Sequence, residues 1–117
     1  MNEFELKNRT KAFAHRCVKL ALALPKNVLG NHLAGQLIRS STSVAANYRA
    51  ACLAQSRKAF SAKISIVLEE SDESYFWLEF MIGDNLISKS AANELLQEAN
   101  ELTRIFAVSR KTVQLKK

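Results

Sequence analysis

Between Gln36 and Ala51 the chain keeps helical periodicity while setting Arg39, Ser40, Ser41, Thr42, Ser43 and Asn47 among small side chains. Hydroxyl side chains compete for backbone hydrogen bonds and are mediocre helix formers. An ordinary surface helix would draw its wet face from Glu, Lys and Gln and its core from Leu. A helix written this way calls for close neighbours, because small side chains let other helices approach and interior hydroxyls need partners there. The segment therefore points to a bundle in which it lies packed between other helices.

Length and composition narrow the choice. At 117 residues the chain can build one core but not two, so residues 1–117 are read as a single domain. Three glycines and one proline leave few of the turns an all-β fold needs. The start, Met1 to Lys7, lacks the apolar block of a secretory leader. The longest apolar run, Leu20 to Leu24, is far short of the roughly 20 residues of a membrane span. A soluble, cytoplasmic protein is expected. Cys17 and Cys52 fit a reducing compartment; in a helical hairpin Cys17 stands level with about residue 38, too far from Cys52 for a disulfide.

Four helices can be read, near residues 6–24, 31–54, 57–82 and 89–114. In the first, Leu6, Phe13, Cys17, Leu20 and Leu24 share a stripe, and Pro25 ends it. Gly30-Asn31 offers a turn and an N-cap, after which Leu33, Leu37, Val44, Tyr48 and Ala51 share a face. Ser56 suits the N-cap of the third helix. There Phe60, Ile64, Val67, Ser71, Tyr75, Leu78 and Ile82 repeat at fours and threes, and Gly83 suits the C′ position. Ser88 caps the fourth, which buries Ala91, Leu95, Leu102, Ile105 or Phe106, and Val113. Short connections make neighbours antiparallel. The fold class is all-α, an up-down-up-down four-helix bundle. Phe76, Trp77 and Phe80 fall off the third helix's stripe, which fits either a wide core or a subunit interface.

Charge is uneven. Residues 1–63 hold eleven Lys and Arg against two Asp and Glu, residues 64–117 six against nine. On the first helix Arg9 and Arg16 share one flank of the apolar stripe, Lys7 and Lys11 the other. Clustered cations attract phosphate backbones through counterion release, although the interleaved exposed aromatics that would indicate base stacking are not evident from the spacing. The acids do not read as a metal centre. A di-iron bundle needs Glu-x-x-His pairs, whereas Ala12 and Leu29 stand three residues before His15 and His32. The Ser40–Ser43 cluster has no neighbouring His base and no Gly-rich elbow. No cofactor, no metal and no catalytic residue is called for.

One acid has a structural use. With a turn near residues 55–56, Arg39 stands level with about residue 72. A buried Arg39–Glu73 pair is expected, with Ser43 or Asn47 nearby and Glu69 one turn away. Removing one partner of such a pair costs ~3–5 kcal/mol.

At these residues a resemblance becomes visible. The pattern Leu33-x-x-Gln36-Leu37-x-Arg39-Ser40-x-x-Ser43-Val44-x-x-Asn47-Tyr48-Arg49-Ala50 resembles the signature of a bacterial family of four-helix-bundle proteins. They take their name from open reading frames in intervening sequences of 23S ribosomal RNA genes. The likeness continues through Leu6, Ala12, Leu24-Pro25, Phe60, Lys63, Val67, Glu69, Glu73 and Trp77. It departs at Arg49-Ala50-Ala51, where many members carry Ala-Glu-Gly, which suggests a subfamily. The resemblance implies a homopentamer. It also points toward nucleic acid, through the related accessory variability determinant of diversity-generating retroelements.

The expected function is a non-enzymatic, oligomeric binding protein that offers a basic surface to RNA or DNA as an adaptor. Arg9, Lys11, Arg16 and Lys19 are the first candidates for its phosphate contacts, supplemented by Arg110, Lys111, Lys116 and Lys117. The alternative is a protein–protein assembly module built on Phe76, Trp77 and Phe80.

Overall fold

Each helix begins where a short polar side chain accepts a hydrogen bond from the first turn. The computed structural model describes residues 1–115, in which α1 spans Glu3–Leu22, α2 Val28–Cys52, α3 Arg57–Gly83 and α4 Lys89–Leu115. The amides of Glu5, Gly30, Ala59 and Ala91 donate to the side chains of Asn2, Asn27, Ser56 and Ser88 at 2.8, 2.8, 3.0 and 3.1 Å. Each cap satisfies a backbone donor with no partner inside its helix. Ser56 and Ser88 cap as expected; Asn31 does not. Asn27 takes that role, and α2 starts at Val28, with Gly30 buried in its first turn. The chain folds back so closely there that a Cβ on Gly30 would lie 1.9 Å from the Pro25 carbonyl oxygen. Gly83 likewise yields its expected place. It is the last residue of α3, and Asn85 adopts the left-handed conformation (φ 58°). The amides of Asn85 and Leu86 bond the carbonyls of Ile82 and Met81, both at 3.0 Å, closing the helix with a Schellman motif.

The helices run up, down, up and down in a rod of 48 × 20 × 20 Å. Contacts join α1 to α2, α2 to α3 and α3 to α4 extensively, whereas α1 and α4 approach each other least. Phe13, Leu33, Leu37, Val44, Ile64, Val67, Leu78, Met81, Leu102 and Phe106 form the dry centre. The buried stripe of α3 drifts from the expected one. It follows Ile64, Val67, Ser71, Ser74, Leu78 and Met81, leaving Tyr75 and Ile82 only partly buried. On α4, Ala92 and Ala99 are buried and Ala91 is exposed.

The polar segment of α2 divides by direction. Ser40 and Ser41 are fully buried; the Ser40 hydroxyl lies 2.9 Å from that of Ser74 on α3. Arg39, Thr42 and Ser43 face outward to different degrees, and the Asn47 amide donates to the Ser43 hydroxyl at 2.8 Å. Among the described residues every buried side-chain nitrogen and oxygen has a partner. Small serines thus let α2 lie close to both neighbours without an orphaned polar group.

Candidate nucleic-acid interface

The two flanks of α1 face different neighbours. Phe4, Lys7, Asn8, Lys11, Ala14, His15 and Val18 form one wall of a groove against α2, with Thr42, Ala45, Ala46 and Arg49 opposite. The groove has a volume of about 810 Å³, and no Asp or Glu lines it. Residues 4, 8, 11, 15 and 18 recur at helical spacing and so stack along one side of α1. The small residues of the second helix leave the channel open between them.

The other flank of α1 meets the acids of α4. Arg9 Nε and Nη2 donate to the two Glu98 oxygens at 2.7 and 2.6 Å, and Nη2 reaches Glu101 at 3.1 Å. The Glu98 carboxylate, then Glu101, hold the guanidinium pKa above its ordinary value against the opposing effect of burial. Arg16 donates to Glu94 at 3.0 Å. Both arginines therefore span the widest seam of the bundle, and Arg9 is not free for a phosphate. Lys11 and Lys19 are exposed and make no ion pair among the described residues. Lys7 pairs with Glu3 at 3.3 Å on its own helix. Phe4 and Arg49, neither of them expected from the sequence, complete the basic groove, and Phe4 is an exposed aromatic among cations where none was expected. The spacing Phe4–Lys7–Lys11 carries that signal on α1, but the partnership with α2 appears only in the folded chain.

Antiparallel folding sorts charge along the rod. Divided at the helix midpoints, one half holds Lys7, Arg9, Lys11, Arg49, Arg57, Lys58, Lys63, Arg104, Arg110 and Lys111 against Glu3, Glu5, Glu69 and Glu70. The other holds Arg16, Lys19, Lys26, Arg39 and Lys89 against Asp72, Glu73, Glu79, Asp84, Glu94, Glu98 and Glu101. At the basic end a second groove of about 630 Å³ opens between Arg57, Lys58, Ser61, Ala62 and Ser65 of α3 and Val113 and Gln114 of α4. Lys116 and Lys117 lie outside the described residues.

Arg39 lies elsewhere, on the face shared by α2 and α3. Its Nη1 donates to Glu70 at 2.8 Å and its Nη2 to Glu73, while Nε reaches Gln36 at 3.3 Å. Trp77 Nε1 donates to the same Glu73 oxygen at 3.0 Å. The expected partner Glu73 is in place, but the pair is not buried: 47% of the Arg39 side chain is exposed. Glu69 points outward, and Glu70 occupies the second position instead. The shifted α3 stripe explains this, since Glu70, Glu73 and Trp77 form the flank beside the buried serines. Ser43 and Asn47 bond each other rather than this network.

Trp77 is partly buried against His32, with ring centroids 5.9 Å apart, while Phe76 and Phe80 remain 48% and 40% exposed. Burial pushes the Cys17 thiol up to about 12. It also lifts the Cys52 thiol and the Tyr48 phenol. No group of three His, Cys, Asp or Glu among the described residues is placed to hold a metal ion. No described helix is long and apolar enough to cross a membrane.

Residues 2–107 match the family model described as 23S rRNA-intervening sequence protein. Among solved structures, the chain is similar to a protein from Bacteroides thetaiotaomicron VPI-5482, described as having unknown function and coming from the S23 ribosomal protein family. The two are 30% identical with a TM-score of 0.81, over 90% of this chain and 97% of that one. No curated protein matches the chain.

Proposed function

The chain belongs to the 23S rRNA-intervening sequence protein family, and on that premise we propose that it is a non-enzymatic, oligomeric adaptor presenting a basic surface to nucleic acid. The observation that carries this reading is the acid-free α1/α2 groove at the basic end of the rod. Lys7, Lys11 and Arg49 supply its phosphate contacts, with Arg57, Lys58, Arg110 and Lys111 around the same end. Arg9 and Arg16 act indirectly, by holding α1 against α4. Assembly into a ring, five-fold as the resemblance implies, multiplies the charge of +6 per chain and strengthens individually weak contacts.

Fluorescence anisotropy with a labelled RNA and a labelled DNA tests the proposal. Binding is expected at low salt and should weaken steeply as salt rises, because released counterions drive it. Lys11→Glu combined with Arg49→Glu should weaken it at least tenfold. Salt-independent binding, or none at low salt, would refute the reading. Light scattering reports the subunit number. A second reading, a protein-directed assembly module, draws on the exposed pair Phe76 and Phe80, whose centroids are 6.0 Å apart. It requires that Phe76→Ser abolish partner capture while the groove substitutions leave it intact.

A further inference from the structure

We infer that the α1/α2 groove takes a single strand of nucleic acid, with Phe4 as a platform for one base and Lys7, Lys11 and Arg49 on the flanking phosphates. This rests on the nucleic-acid reading above and adds the strandedness of the ligand. Phe4 is 72% exposed in the first turn of α1, yet it is part of the groove wall that carries Lys7 and Lys11. The other strongly exposed aromatics, Phe76 and Phe80, stand in the acidic half of the rod beside Glu73 and Glu79. Phe4 is thus the exposed phenyl ring that shares a channel with cations, with the smaller imidazole of His15 further along the same wall. Cations along a backbone track combined with an aromatic face for a base are the elements of single-strand recognition.

A duplex cannot use this combination. Its bases are already stacked on one another, so only its phosphates could meet the groove, and Phe4 would lose water without gaining a base. An unpaired strand presents free π-faces. The channel suits such a chain in shape as well. From Phe4 to Val18, α1 advances about 21 Å, on the order of six nucleotides at the stacked spacing of one strand. Ala14, Thr42, Ala45 and Ala46 raise no bulky side chain in its path. Asn8 is the one neutral amide in the lining. A single amide reads little base identity, so the groove tolerates many sequences.

The test compares an eight-nucleotide oligouridylate, an eight-nucleotide oligothymidylate and a twelve-base-pair duplex by anisotropy, using the untagged full chain at low salt. Both single strands should bind at least tenfold more tightly than the duplex, and the better-bound strand identifies RNA or DNA. Phe4→Ala should weaken single-strand binding about tenfold and leave the duplex unaffected, whereas Phe4→Trp should restore it. Because Phe4 is exposed, the melting temperature of either variant should match that of the parent. Equal affinity for duplex and strand, or indifference to Phe4→Ala, overturns the inference. If Lys11→Glu with Arg49→Glu still abolishes binding in that case, the basic-surface reading stands. Absence of binding to all three probes overturns both.

Discussion

Ser40 and Ser41 are adjacent on α2, yet a rotation of about 100° between them gives them different neighbours. Ser40 meets Ser74 on α3, and Ser41 lies beside the buried Cys17 thiol of α1. Two hydroxyls thus serve two interfaces with almost no side-chain volume. The burial of Cys17 has a measurable consequence. Its folded pKa, about 12, lies above the ordinary value of 9.0. The unfolded chain therefore loses this proton first as pH rises, and linkage makes stability fall through that window. The thiol's contribution is fully present below pH 9 and is lost toward pH 12. The melting temperature should decline between those limits, and Cys17→Ser should reduce the slope of the decline. Below pH 9, Cys17 should react with a thiol reagent only on unfolding, ahead of which the partly exposed Cys52 reacts.

At the scale of the element, α1 is the clearest case of one helix with two charged flanks. Both flanks can be read from spacing, but the sequence does not say which meets a neighbour's acids. Arg9 and Arg16 bridge to α4 across the seam where two neighbouring helices approach each other least. The Arg9–Glu98 contact uses two parallel hydrogen bonds and is mostly shielded from water, the geometry in which an ion pair is strongest. Arg39 contacts two carboxylates but is more exposed, and pairs of that kind are worth ~0–1 kcal/mol. A double-mutant cycle on Arg9 and Glu98 should give a coupling energy of roughly 1–2 kcal/mol. One on Arg39 and Glu73 should stay below about 1 kcal/mol. Urea unfolding measures both, and equal couplings would contradict this account. The expectation of a buried Arg39 failed because α3 rotates its serines inward, leaving the level of the pair at the surface.

For the whole molecule, antiparallel topology decides where charge accumulates. Residues far apart in the chain, such as Lys7, Arg49, Lys58 and Arg110, reach one end because four helices of similar length alternate in direction. Position along the rod should therefore matter more than the number of charges changed. Arg110→Glu with Lys111→Glu, at the basic end, should weaken nucleic-acid binding at least fivefold and flatten its salt dependence by about two phosphate contacts. Lys19→Glu with Lys26→Glu, toward the other end, should change affinity less than twofold. A common salt series on both variants checks the contrast.

Periodicity and caps are local, so the sequence itself determined four helices, the caps Ser56 and Ser88, most core leucines and the level at which Arg39 meets Glu73. It also carried the family likeness, through the Arg39-Ser40, Ser43-Val44 and Asn47-Tyr48 pattern of α2. Rotation about each helix axis is not local, because it depends on which side chains interlock with a neighbour. Only the tertiary structure therefore decided that Ser74 and Met81 are buried in place of Tyr75 and Ile82, and that Glu70 joins Arg39. The same packing commits Arg9 to α4 and brings Phe4 and Arg49 into one groove.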